Sequence, residues 1–367
     1  MSIIVVKIGS STLVSPDGTL RDDVIEARVR DLVRIRRQGQ RPILVSSGAV
    51  ACGLGRLGIA RRPTGLAALQ AASAVGQGLL FQRYSELFTP HGVVPAQVLL
   101  TSADLAVRTS YLNARTTLAH LLDLGAIPII NENATTATDE LTFGDNDVLA
   151  AQVALLLGAA RLLLLTDREG LYGVGPDGRP ELLGDIPAGT RPHQLPLADM
   201  DSSGLGRGGI ATKLTAAAMA TGGGVACVIA SGTADHVIDA VATGHPVGTR
   251  FPAVAKPEPS FKLWLRHART TRGRIQVDAG AATALRERGT SLLAVGVVGC
   301  QGAFHPGDAV QVVEGPGQRP VGKGIVRLAA EELRTVAGMK SDEVRALLPE
   351  APAQVIHRDE FVLVDGG

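Results

Sequence analysis

Several scarcities narrow this 367-residue sequence before any motif is read. Its three cysteines, Cys52, Cys227 and Cys300, are far apart and odd in number. That pattern excludes a disulfide framework and a zinc-ligand spacing, and it points to a reducing, cytoplasmic compartment. Aromatic residues make up only 3%, so aliphatic side chains must fill the core; at 45% hydrophobic content there is ample surface to bury. Long apolar runs are absent. The charge-free stretches 63–82 and 214–234 are interrupted, the first by Gln70, Gln77 and Gln82 and the second by Gly222, Gly223 and Gly224, so neither suits a membrane span. No basic segment precedes the opening apolar run, and Lys7 follows it, so the run reads as a strand and not as a leader.

An excess of one charge is also missing. The net charge of +1 argues against a chain built to coat nucleic acid or anionic lipid. No GxxxxGK[ST] loop occurs, so nucleotide binding needs another device. Gly53, Gly55 and Gly58 do match GxGxxG, but no Asp or Glu stands between Asp31 and Glu86 to hold a ribose. The stretch therefore reads as a flexible turn. The eight histidines form no metal-like pair.

What is present is a regular alternation. The apolar run 3–8 ends at Gly9. A helical repeat follows through Ile25, Val29 and Leu32, opened by Asp22 and Asp23 and closed by Arg34, Arg36 and Arg37. Further strand-like runs lie at 42–45, 93–98, 127–130, 162–165 and 225–229, with helical segments between them. This predicts an α/β/α sandwich around a mainly parallel sheet, with ligands bound beyond the carboxyl ends of the strands. Charge marks the boundaries. Residues 1–253 are nearly neutral, the segment around 254–274 is strongly basic with Pro257 and Pro259, and the remainder is acidic. The expected organisation is a large domain over 1–253, a basic linker over 254–274 and a small mixed β domain over 275–367.

Lysine is the most informative scarcity. The first 253 residues contain nineteen arginines but only two lysines, Lys7 and Lys213. An ammonium is a compact point charge, unlike the planar guanidinium. Lys7 lies near a strand end. Lys213 is expected in the first turn of a helix after the glycine-rich stretch 204–209, where backbone N–H groups and a lysine would together receive phosphate. Asp147, in the run Gly144-Asp145-Asn146-Asp147, is suited to hold both ammoniums in place and keep them protonated, with Asp145 as the N-cap of the helix that follows. No side chain stands out as a general base. That fits phosphoryl transfer to a carboxylate, which is already ionised at neutral pH.

These residues sit in recognisable strings: VVKIGSS (5–11), VSSGAV (45–50), LNARTT (112–117), INEN (130–133), FGDND (143–147), LLLLTDREGLY (163–172) and GLGRGGIATK (204–213). Together they resemble the glutamate 5-kinases of the amino-acid kinase family, and the C-terminal domain with its IHRDE (356–360) resembles a PUA domain. The resemblance implies an ATP- and Mg²⁺-dependent kinase acting on the γ-carboxylate of L-glutamate, the first step of proline biosynthesis. By motif, Lys7, Asp147 and Lys213 would be catalytic, with no metal held by protein side chains. Ser47, Gly48, Asn131, Ala134 and Asn146 would line the glutamate site. Lys7, Gly9, Thr166, Asp167, Arg207, Gly208, Gly209, Ile210, Ala211, Thr212 and Lys213 would surround ATP. The resemblance further implies a homo-oligomer inhibited by proline. RNA binding by the PUA domain is disfavoured, because that domain is acidic and holds only Phe304 and Phe361 as aromatics. One departure stands out: Ala134 occupies the position where the family pattern carries an Asp after NEN, with Asp139 and Glu140 as nearby acids. Arg207 also replaces a small or hydroxyl residue.

Overall fold

The computed structural model describes residues 2–15, 17–137, 146–191, 194–198 and 206–364, with side-chain detail in the last segment from Gly209 onward. The chain forms two compact units, Met1–Glu258 and Pro259–Gly367.

The first unit runs β1 (Ile3–Ile8), α1 (Ser10–Leu13), α2 (Asp22–Arg37), β2 (Arg41–Ser46), α3 (Ala49–Arg56), α4 (Leu66–Phe88), β3 (Pro95–Leu100), α5 (Ser102–Ala106), α6 (Arg108–Asp123), β4 (Ile127–Glu132), α7 (Asn146–Leu157), β5 (Arg161–Thr166), β6 (Tyr172–Val174), β7 (Pro180–Leu182), α8 (Gly206–Gly222), β8 (Ala226–Ser231), α9 (Val237–Thr243) and β9 (Thr249–Phe251). Seven strands form one sheet in the order β3-β4-β2-β1-β5-β8-β9; all neighbours are parallel except β8 and β9. Side chains on both faces of the central strands are buried, as in a parallel sheet covered by helices on each side. Ile4, Val6 and Ile8 join Leu44, Leu163 and Leu165 in a core shared with α2, α4 and α9. The opposite face of β1 packs against α7. The result is the α/β/α sandwich expected from the alternation.

Of the glycines at 53–58, only Gly58 lies in a turn, with a φ of 68°. Gly53 and Gly55 lie inside α3, which packs closely against α4. A Cβ on Gly53 would fall 1.7 Å from the Ala72 carbonyl oxygen, and one on Gly76 would fall 1.9 Å from that of Ala49. Glycine is there to bring two helix backbones together. Among the described residues no helix is long and apolar enough to cross a membrane.

The second unit runs α10 (Ser260–His267), β10 (Gly273–Val277), α11 (Ala279–Arg288), β11 (Val297–Gly302), β12 (Ala309–Glu314), β13 (Arg319–Val326), α12 (Ala330–Val336), α13 (Ser341–Leu347) and β14 (Ile356–Leu363). Five strands form a sheet in the order β11-β10-β12-β13-β14, with a separate core that includes Ile275, Val312, Leu333 and Phe361. Part of the basic segment 254–274 is a helix of this unit. Leu263, Trp264 and Leu265 of α10 are buried, and Lys323 Nζ donates to the Arg266 and Arg269 carbonyls at the end of that helix, 3.1 and 2.7 Å away. Its many arginines therefore flank an apolar stripe, a pattern that a count of charges hides.

Candidate active site

Alternation along β1 places Val5 and Lys7 on the same face, the one that α7 covers. The Lys7 ammonium thereby meets the first turn of α7, where its Nζ lies 2.7 Å from Asp147 Oδ1. Helix α8 packs beside α7 and brings Lys213 Nζ to 3.0 Å from the other oxygen, Oδ2. The Thr212 hydroxyl donates to the same Oδ2 at 3.2 Å. Lys7 is 5% exposed and Asp147 1%. Burial alone would push the Asp147 carboxyl up. The charges of Lys7 and Lys213, reinforced by their hydrogen bonds, outweigh burial and hold it below its usual value. Two ammoniums share one carboxylate, so the trio carries a net positive charge at the carboxyl edge of the sheet.

Each ammonium has bare backbone beside it. A Cβ on Gly9 would sit 3.8 Å from Lys7 Nζ, and one on Gly209 would sit 4.0 Å from Lys213 Nζ. Those are the places a side chain would fill, and their openness suits the approach of a polyphosphate. Gly9 is the N-cap of α1, where the Thr12 and Leu13 amides donate to its carbonyl. Helix α8 begins at Gly206, so Arg207, Gly208, Gly209, Ile210, Ala211, Thr212 and Lys213 are helical and Lys213 lies in the second turn, not the first. The glycine-rich stretch is thus partly helix; the side chain of Arg207 lies outside the described residues. Thr166 closes β5, and its hydroxyl donates to Asp167 at 3.0 Å. The Gly232 amide donates to the Thr166 carbonyl at 2.6 Å, which sets the end of β8 next to that of β5.

A pocket of about 70 Å³ opens between the end of β2, the end of β4 and the start of α7. Ser47, Gly48, Asn131, Ala134 and Asn146 all line it. Gly48 turns the chain from β2 into α3 with a φ of 106°, a conformation glycine adopts freely and other residues resist. Asn146 Nδ2 lies 2.9 Å from the Ser46 carbonyl, 3.1 Å from Ser47 Oγ and 2.8 Å from Asn131 Oδ1. Asn131 Nδ2 donates in turn to Gln77 Oε1 at 2.7 Å. Asn146 is 2% exposed, and its Oδ1 has no partner among the described residues. A buried acceptor left open is an acceptor for a ligand's N–H. Ala134 sits in the turn after β4, its amide donating to the Glu132 carbonyl. Asp139, Glu140 and Asp145 lie outside the described residues.

The pocket also has walls that the motifs did not single out. Ser10, Arg62, Ser73 and Glu132 line it. Ser10 and Glu132 belong to the strings VVKIGSS (5–11) and INEN (130–133), which give them no role of their own. Ser73 and Arg62 belong to α4 and to the connection before it, and nothing in their local sequence marks them.

Residues 2–231 match the amino acid kinase family and residues 273–348 match the PUA domain. The glutamate 5-kinase of Synechococcus sp. (strain JA-3-3Ab) is 43% identical over 99% of this chain and 98% of its own length. That of Gloeobacter violaceus is 45% identical over 99% of both chains. That of Cutibacterium acnes is 44% identical over 98% of this chain and 91% of its own length.

Proposed function

The chain belongs to the amino acid kinase family, and on that premise we propose that it is a glutamate 5-kinase, transferring the γ-phosphoryl group of ATP to the γ-carboxylate of L-glutamate. The observation that carries this reading is the trio Lys7–Asp147–Lys213 beside a pocket lined by Ser47, Asn131 and Asn146.

The chemistry needs no covalent intermediate and no general base. A γ-carboxylate oxygen of glutamate attacks the γ-phosphorus of ATP while the bond to the β,γ-bridging oxygen breaks. The products are γ-glutamyl phosphate and ADP, and no proton moves. Charge builds on the transferring group and on the leaving oxygen. Lys7 and Lys213 neutralise it from fixed positions, because Asp147 holds both ammoniums and no solvent must reorganise at the moment of reaction. Gly9 and Gly209 let the phosphates come close to those ammoniums. Ser47, Gly48, Asn131 and Asn146 orient glutamate, the open Asn146 Oδ1 accepting from its ammonium. Thr166, Asp167 and residues 207–213 flank the nucleotide. Mg²⁺ brought with ATP would add charge neutralisation on its phosphates, and such a cation would need few protein carboxylates. In the same family reading the enzyme works in the cytoplasm as a homo-oligomer in proline biosynthesis and is inhibited by proline. Light scattering and proline titration test the last two.

The assay that tests the reaction is ADP release over a substrate panel. L-Glutamate should support it, while N-acetylglutamate and aspartate should not. Preference for either of the latter would place the chain in another branch of the amino acid kinases.

A further inference from the structure

We infer that Arg62 anchors the α-carboxylate of the amino-acid substrate and so selects a substrate with two carboxylates. This rests on the glutamate reading above. Glutamate presents two carboxylates, and only the γ-carboxylate has business with phosphate. The α-carboxylate enters a pocket whose other lining side chains are those of Ser, Ala, Val, Asn and Glu. Those groups offer a carboxylate no positive charge. Among the described residues Arg62 is the one basic side chain in the pocket wall, and Lys7 and Lys213 are not part of that wall.

The state of Arg62 fits the role. It is exposed, and among the described residues it makes no hydrogen bond or ion pair. Its guanidinium is therefore free to take a ligand. Its backbone is less free, because the ring of Pro63 restricts the preceding residue to extended conformations. Anchored between α3 and α4, the residue reaches the pocket from a connection separate from the strands that carry the other contacts. A guanidinium pairs with a carboxylate through two parallel hydrogen bonds, a geometry an ammonium cannot copy.

The test compares L-glutamate with isoglutamine, which keeps the γ-carboxylate and the ammonium but carries a neutral amide in place of the α-carboxylate. KM for glutamate and the inhibition constant or KM of isoglutamine are measured for the wild type and for Arg62→Ala and Arg62→Lys. The expected result is a rise in glutamate KM of roughly ten- to a hundredfold in Arg62→Ala, the size of a lost charge-assisted hydrogen bond. kcat and ATP KM should change little, isoglutamine affinity should be unchanged, and Arg62→Lys should fall between. Discrimination between the two compounds would then collapse. An unchanged glutamate KM in Arg62→Ala, or an equal loss toward both compounds, would overturn the assignment. A wild-type enzyme that does not phosphorylate glutamate at all would instead sink the reading on which it rests.

Discussion

Lys7, near the end of β1, is held 2.7 Å from Asp147 in the first turn of α7. The pair is nearly buried, and Lys213 completes it from the opposite carboxylate oxygen. A buried carboxylate between two ammoniums has one evident chemical use, to fix their positions while leaving net positive charge for an anion.

The first prediction follows from that sharing. Asp147→Asn removes the only carboxylate in the trio and leaves two ammoniums close together in a poorly hydrated site. kcat should drop by about a hundredfold or more, and thermal stability should fall as well, since breaking a buried pair by removing one partner is strongly destabilising. Steady-state kinetics and thermal unfolding on the same preparation check both. Unchanged kcat would remove Asp147 from its proposed role.

The second concerns the lysines themselves. Lys7→Arg and Lys213→Arg keep the charge but replace a point with a plane. Each should lower kcat more than tenfold with the fold intact, as judged by circular dichroism. Near-normal turnover in both would contradict their assignment to the phosphoryl group.

The third is a pH dependence. The Asp147 carboxyl is held below its usual 3.8, so folding favours its ionised form. The stabilisation it gives is complete above the ordinary carboxylate range and is lost as pH falls through the depressed folded value. Thermal unfolding of wild type and Asp147→Asn should therefore differ most near neutrality and converge in acid. A difference that grows as pH falls would reverse the sign and refute the pairing.

The fourth turns on Ala134, which lines, without a charge, the pocket proposed to hold glutamate. Ala134→Asp would place a carboxylate beside the substrate's ammonium. Glutamate KM should fall while ATP KM stays near its original value, since the nucleotide side is built from other residues. An unchanged glutamate KM would show that another group already fills the role.

Much of the first unit was legible because its signals are local. Buried parallel strands read as short apolar runs, and Lys7 and Lys213 stood out against nineteen arginines. Other features depend on what folding brings together. Gly53 looked like a turn residue because the reason for its missing side chain, the Ala72 carbonyl of α4, is set by helix packing. The segment 254–274 looked like a linker because its arginines outnumber the apolar residues that α10 buries. Arg62 was one arginine among many until the fold placed it in the wall of the same pocket as Asn146. The Gln77 contact that steadies Asn131 likewise joins residues from a helix and a strand with no shared motif.

The most direct measurement is chemical capture of the product. Incubated with ATP, Mg²⁺, L-glutamate and hydroxylamine, the folded enzyme should accumulate γ-glutamyl hydroxamate, identified by mass, in proportion to ADP formed. A folded preparation that yields no hydroxamate across a wide range of glutamate concentrations would contradict the account.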